Sequence, residues 1–172
     1  MIQRREFLGS VAAVSASLAA TPAHAEGQII PGGSALVESA AEFDLATFRK
    51  IAEQPVPYKV VWDLTNVGKA FGNVKNSLNG YHFGFGFGPN QTHMIMALHG
   101  TANTANFSDT LWAKYRLGEW LKIDDPKTNA PATRNIWLHS SSDDSKNQQD
   151  EKGIYQDTSI EGLQRRNVSF FT

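Results

Sequence analysis

From residue 44 onward the apolar positions of the chain keep changing period, and each change predicts an element. "YKVVWDL", Tyr58 to Leu64, is rich in β-branched and aromatic residues and follows Pro57, the composition of a strand. Val67, Ala70, Phe71, Val74 and Leu78 come next, at offsets of 3, 4, 7 and 11 residues, one face of a helix. Asn66 stands where a cap belongs, and Asn79-Gly80 where a helix stops. "HMIMALHG", His93 to Gly100, is almost continuously apolar, as expected of a strand buried on both faces. A helix from about Ser108 to Leu117 follows, capped by Ser108, with Leu111, Trp112 and Tyr115 on its face. Thr158-Ser-Ile-Glu161 has the form of a capping box and opens a helix through Arg166, with Ile160 and Leu163 inward. Asn167 then makes the turn into "VSFF", Val168 to Phe171, a third strand. Ahead of all these, Asp44 to Glu53 predicts a short helix capped by Asp44 and ended by Pro55 and Pro57. Leu45, Phe48 and Ile51 share its face, which suits a helix that covers the sheet.

The order strand, helix, strand, helix, helix, strand predicts an α/β fold with a mostly parallel sheet. Three clear strands are few for a doubly wound sheet, so the sheet is expected to be incomplete. Residues 122–152 are polar around a short apolar "IWL" and predict a long surface excursion, mobile in part. The 172 residues suit one ordinary domain, here residues 44–172, preceded by a linker at 26–43 and a leader at 1–25.

The leader changes the picture most. Arg4 and Arg5 are adjacent, Phe7 and Leu8 follow after one residue, and Ala23-His24-Ala25 is an A-x-A cleavage site. This is the pattern of a twin-arginine export signal cut after Ala25. It predicts a periplasmic protein whose partners include the twin-arginine translocase and a signal peptidase. The apolar run, Gly9 to Ala20, is about a dozen residues where a membrane span needs roughly 20, so no stable anchor is expected. That export route is one for proteins folded beforehand, often around a cofactor, but no cofactor is named by any motif.

The whole chain has 16 basic and 17 acidic side chains; loss of Arg4, Arg5 and Glu6 leaves 14 and 16. No basic stripe remains to displace counterions from nucleic acid. Cysteine is absent, which removes disulfides, thiolate metal sites and cysteine nucleophiles from the chain as it stands.

The stretch "GYHFGFGFGPN" invites a nucleotide-binding reading and fails it. Its glycines at 84, 86 and 88 give G-x-G-x-G rather than G-x-G-x-x-G, and it follows a helix and precedes a strand. A period of two predicts an extended segment with Phe83, Phe85 and Phe87 on one face, either capping the core or meeting another subunit. His93 and His99 lie about 20 Å apart along one strand and cannot share a metal; no metal site is expected. His99-Gly100 ends the second strand and Asp63 and Asn66 end the first, where open parallel sheets place ligands. With Thr101 and Asn103 they form a candidate polar rim; ordinary strand-end polar groups and caps are the plainer alternative. Asp124-Asp125 and Asp143-Asp144 sit in polar loops and are expected to be solvated. Ser140-Ser141-Ser142 lacks a nucleophile-elbow context. Arg165-Arg166 ends a helix, where cations favour the dipole and a bound anion need not be invoked. No catalytic residue is assigned.

Three pieces, "YKVVWDLTNVGKAFGNVKNSLNG", "MIMALHG" and "SIEGLQRRNVSFFT", together resemble the DsrE/DsrF-like family of small α/β proteins linked to sulfur relay. They match, in order, that family's first strand and helix, its second strand ending in His-Gly, and its late helix and strand. The resemblance covers most of residues 58–172 except the polar excursion. It implies a three-layer sandwich with a mostly parallel sheet and often a homo-oligomer, for which Phe83, Phe85 and Phe87 are the interface candidates. It also implies sulfur carried on a cysteine just after the strand matching "VSFF". Here Thr172 follows that strand and no cysteine is present, so no residue of this chain takes the persulfide role. The expectation is a C-terminally truncated chain; a complete, thiol-free chain is the alternative. Function then divides between a periplasmic sulfur-handling or redox-associated protein and a non-catalytic binding or interaction module. An enzyme using the His99 rim is a third, weaker idea.

Overall fold

The three predicted strand runs become three parallel strands: β1 (Tyr58–Leu64), β2 (Thr92–Leu98) and β3 (Val168–Phe171), in the spatial order β1-β2-β3. The structure, a computed structural model, describes residues 44–172, so the expected export signal at 1–25 and linker at 26–43 lie outside the described residues. Register pairs Tyr58 with Thr92, Leu64 with Leu98, and Ala97 with Phe171. Successive side chains alternate across a sheet. Val60, Trp62 and Leu64 therefore share a face with Met94, Met96 and Leu98 and with Val168 and Phe170.

That face carries the main core. Helix α2 (Ala70–Asn79) lays Phe71, Val74 and Leu78 on it, at the helical spacing the sequence shows. A 3₁₀ segment (Gly100–Asn106) adds Ala102 and Ala105, and a late helix, Ile160–Gln164, adds Ile160 and Leu163. The result is an α/β fold built on a small parallel sheet. The other face holds Val61, 65% exposed, and the buried His93. Helix α1 (Leu45–Ala52) buries no residue of its own and meets the sheet through Phe48, edge-on to Phe171 at 5.8 Å. As a cover for the sheet it is therefore partial. No helix among the described residues is long and apolar enough to cross a membrane.

A second, smaller core surrounds Trp112. It sits on α3 (Asp109–Lys114), fully buried, with Leu117 of α4 (Leu117–Leu121) and Ala132. The Trp112 Nε1–H donates to the Thr104 carbonyl at 2.9 Å, and Trp137 meets its ring edge-on at 5.4 Å. Trp137 also packs on the main core, so it joins the two. The late helix, Ile160–Gln164, is α5 in chain order.

Several local expectations give way to tertiary structure. Asn66 does not cap α2: a turn through Gly68 (φ +41°) intervenes, and Lys69 holds the cap position without a side-chain bond. Asn79-Gly80 does not stop it: Gly80 is right-handed helical and the chain runs on through a π-helical turn, Gly80–Gly84. The helix expected to reach Leu117 breaks at Arg116 (φ +51°), and only Trp112 of its expected face is buried; Leu111 and Tyr115 are exposed. The capping box is displaced by one residue, since Ser159 caps α5 by accepting from Gly162 N. Residues 122–152 contain no helix or strand, yet they are more than a surface excursion. Ala132 and Asn135 are buried, and so is Asp125, which Arg134 clamps at 2.6 and 3.0 Å. The expectation of a solvated Asp125 fails because that arginine replaces its water. Asp143 and Asp144 are exposed, as expected.

Glu161 leaves the capping role because other groups claim it. Its Oε2 accepts from Ser140 N at 2.8 Å and its Oε1 from His139 Nδ1 at 2.9 Å, while His139 Nε2 lies 3.6 Å from Asp109. The Glu161 bond, then the charges of Glu161 and Asp109, raise the His139 pKa above its ordinary 6.5. The Ser140 and His139 bonds hold Glu161 below its ordinary 4.5. A raised histidine stabilises fully below 6.5 and loses that as pH rises through its folded value; a lowered carboxyl does so above 4.5 and loses it as pH falls. The contact is therefore strongest between those two values. The stability gap between wild type and His139→Gln is expected to be larger at about pH 5.5 than at about pH 8 by urea denaturation. Equal gaps would show that the imidazole contributes nothing through its charge.

Candidate functional site

Parallel pairing brings the strand C-termini to one end of the sheet. Asp63 lies next to the end of β1, and His99 directly follows β2. Because Leu64 stands opposite Leu98, the His99 imidazole reaches back to β1, and its Nε2 contacts Asp63 Oδ1. Both side chains are exposed. Gly100 has φ +56°, and a Cβ there would come 3.0 Å from the Thr65 carbonyl, which is why glycine fits. Thr101 Oγ1 donates to that same carbonyl at 3.2 Å. Asn66 is exposed and Asn103 Oδ1 is buried without a partner; no hydrogen bond joins either to the pair among the described residues. Of the six rim candidates, then, Asp63 and His99 meet, Gly100 and Thr101 shape the turn on Thr65, and Asn66 and Asn103 stand apart. Chemically this is an imidazole held against a carboxylate, with no hydrogen bond to its Nδ1 among the described residues.

His93 takes no part in it. Its Nε2 meets Ser169 Oγ at 2.9 Å in the interior, and burial, then the charge of Lys59, lower its pKa. No cluster of three or more potential metal ligands occurs among the described residues.

The opposite end of the sheet, where the strands begin, holds a small cleft of about 100 Å³ that the sequence did not point to. Its walls are aromatic. Phe87 stacks on Tyr81 (5.7 Å, 4°) and on Tyr58 (4.4 Å, 14°), and Tyr155 stacks on His82 (5.2 Å, 13°). His82 binds the walls together: Nδ1–H donates to the Phe87 carbonyl at 2.9 Å, and Nε2 accepts from the Tyr155 hydroxyl at 3.2 Å. The helical turn and Gly86 (φ +71°) replace the expected extended segment, so Phe85 and Phe87 meet with ring centres 5.9 Å apart while Phe83 packs on His82 and Tyr155. Phe87 lines the cleft, while Phe83 and Phe85 remain 44% and 72% exposed.

The pair Arg165-Arg166 also separates. Arg165 reaches Asp157 at 3.2 Å, Asp144 at 3.7 Å, and the hydroxyls of Ser140 and Ser142 at 2.7 and 2.6 Å. Burial pushes the Asp157 carboxyl up, but bonds from Ser140, Ser142 and Ser159 outweigh it and leave the pKa lowered. Both arginines line the cleft, but Arg166 meets no carboxylate among the described residues, and its guanidinium lies 5.1 Å from the Tyr155 ring centre. Nothing local in "LQRRN" separates the two arginines. Tyr155 arrives from 73 residues beyond His82, in a stretch whose composition is polar. Comparison of the chain with protein-family models, with curated proteins and with solved structures finds no match.

Proposed function

We propose that the protein is an exported, DsrE-like α/β module that engages a ligand or partner at the C-terminal rim of its sheet, without catalysis by its own residues. The observation that carries this reading is the Asp63–His99 pair, formed across β1 and β2 where parallel sheets gather ligands. The three-layer sandwich of that family rests on the motif order given above. Periplasmic location and the translocase and signal peptidase as partners rest on Arg4, Arg5, Phe7, Leu8, Ala23 and Ala25. A binding role suits the residues present: the chain has no cysteine, and among the described residues no hydroxyl bonds to His99.

Sulfur handling is the second reading, and the register favours it. Phe171 stands opposite Ala97, so a thiol arriving just past β3 would meet His99-Gly100. There the imidazole Nδ1 would take the thiol proton and hold the thiolate beside a cation, the condition that makes a thiol reactive. Exposed Phe83 and Phe85 are the self-association surface in either case.

The test uses protein from its native host, treated with a thiol-alkylating reagent and weighed intact. An unshifted mass supports the binding reading. A shift, at a rate that falls in His99→Ala, would replace the binding reading by the sulfur-handling one. In a periplasmic extract, amide signals of Gly100 to Asn103 are expected to move in the wild type and stay still in His99→Ala. An unmoved rim would remove it as the site. Light scattering on the same sample should show more than a monomer, and Phe85→Ser should reduce it; a monomer at all concentrations would dismiss the phenylalanine interface.

A further inference from the structure

The aromatic cleft at the N-terminal end of the strands holds polar atoms that the fold leaves unsatisfied. Arg166 Nη1 is buried and has no hydrogen-bond partner among the described residues. No carboxylate lies within ion-pair distance of Arg166 among the described residues, while its neighbour Arg165 is matched by Asp157 and Asp144. Burial depresses the Arg166 pKa to about 10, against a smaller opposing effect of Tyr155. A guanidinium remains charged at neutral pH even so, and burying part of one without a carboxylate is costly to the fold. The second orphan is Thr92 Oγ1, on a residue only 5% exposed that lines the same cleft. Both residues line one cavity, one of them cationic, and neither atom has an acceptor among the described residues.

The cavity around them selects more than charge. Its space, about 100 Å³, suits a guest of one small ring rather than a larger ligand. The Tyr81–Phe87 stack and the Tyr155–His82 stack line it, and His82 fixes both by bonding Phe87 and Tyr155. His82 spends both ring nitrogens on those bonds and adds no second anion contact. Arg165 also lines the cleft but is matched by Asp157 and Asp144, so Arg166 is left to neutralise one negative charge, a threonine hydroxyl offers one further bond, and the aromatic lining favours an apolar body.

We propose that this cleft binds a small aromatic monocarboxylate, with one carboxylate oxygen on Arg166 Nη1, the other on Thr92 Oγ1, and the ring between the aromatic walls. The site is at the opposite end of β2 from the Asp63–His99 rim, roughly 20 Å away, and does not depend on the rim's role. Binding supplies the acceptors that the fold lacks, so the bound state relieves what the empty one bears.

The test is a titration of the ¹⁵N-labelled mature chain with benzoate, with benzyl alcohol as the neutral counterpart and sulfate as an anion without a ring. Benzoate is expected to move the amides of Gly88, Ile154 and Arg166 and to leave those of Gly100 to Asn103 in place. Benzyl alcohol and sulfate should each bind at least tenfold more weakly. Arg166→Met, which keeps the volume and removes the charge, should weaken benzoate at least tenfold, and Thr92→Val several-fold. If Arg166→Met gives no folded spectrum, Arg166→Lys replaces it, and a several-fold loss is expected because the fork is gone. The proposal is overturned if benzoate moves no cleft amide, if benzyl alcohol or sulfate equals it, or if the folded Arg166 variant binds it as wild type does.

Discussion

Gly118→Ala is expected to destabilise the domain by at least about 3 kcal/mol, while Gly72→Ala is expected to stabilise it by about 0.5–1 kcal/mol. The chemical change is the same, and the neighbours decide its sign. A Cβ on Gly118 would lie 2.3 Å from both the N and the O of Ala132 and 2.8 Å from its Cα. All three are backbone atoms, so no side-chain rotation clears them. The chain segments must part instead, against Ile123 N→Gly118 O (2.8 Å) and Ala132 N→Ile123 O (2.9 Å). Separation also draws Leu117 and Ala132 away from Trp112, which dismantles the smaller core. Overpacking of a core commonly costs about 1–3 kcal/mol, and a backbone obstacle lies at or beyond that limit. Gly72 stands within α2 with nothing inside 4 Å of a Cβ. There alanine only removes unfolded-state freedom and improves helix propensity. Urea midpoints of the two variants should move in opposite directions. A Gly118→Ala midpoint equal to wild type would mean that α4 does not sit this close to Ala132.

The strands were readable because their signals are local. β-branched and aromatic residues between turn formers put β1 on Tyr58–Leu64 and β3 on Val168–Phe171, as expected, and β2 within a residue or two. The helix faces that reach the sheet were readable for the same reason, since Phe71, Val74 and Leu78 carry the period themselves. Helix ends were not, because distant groups settle them. α2 runs into its π-helical turn where Phe87 N bonds back to Tyr81 O at 3.0 Å and His82 is held by Tyr155. The capping box moved because His139 and Ser140, from the polar segment, take the Glu161 carboxylate.

The two candidate sites divide along the same line. A parallel sheet predicts that polar residues at strand ends gather, and Asp63 and His99 do. Sequence position alone could not show that Thr101 is occupied by Thr65 or that Asn66 and Asn103 stand apart. The aromatic cleft needs Tyr81, Phe87, Tyr155 and Arg166 from three separate stretches, and only the folded chain assembles them. Composition pointed the other way, since Tyr155 follows the most polar run of the chain.

That polar run yields the second large effect. Asn135→Ala is expected to cost about 3–5 kcal/mol, and Asn135→Asp more than that at neutral pH. Asn135 is fully buried. Its Nδ2 donates to the carbonyls of Ala105 (2.6 Å) and Phe107 (2.9 Å), and its Oδ1 accepts from Trp137 N at 3.1 Å. One side chain thus ties the 3₁₀ exit, the entry to α3 and the segment that carries Trp137 between the cores. Alanine leaves two carbonyls and an N–H without partners, at about 1–3 kcal/mol each and with less than full additivity. Aspartate still accepts from Trp137 but sets a carboxylate against two carbonyl oxygens. Burial and those oxygens disfavour the charged form, so its folded pKa rises above the unfolded value. Between those two values the folded state binds more protons than the unfolded, and stability falls as pH rises. Asn135→Asp should therefore be less stable than Asn135→Ala at about pH 7.5 and recover past it on acidification, when the protonated acid donates to one carbonyl. Urea midpoints of the three proteins across that range decide it. If Asn135→Asp follows wild type at both ends, the side chain is not enclosed by those carbonyls. If it behaves as expected, a stretch whose composition reads as solvated loop is holding two hydrophobic cores together through one amide.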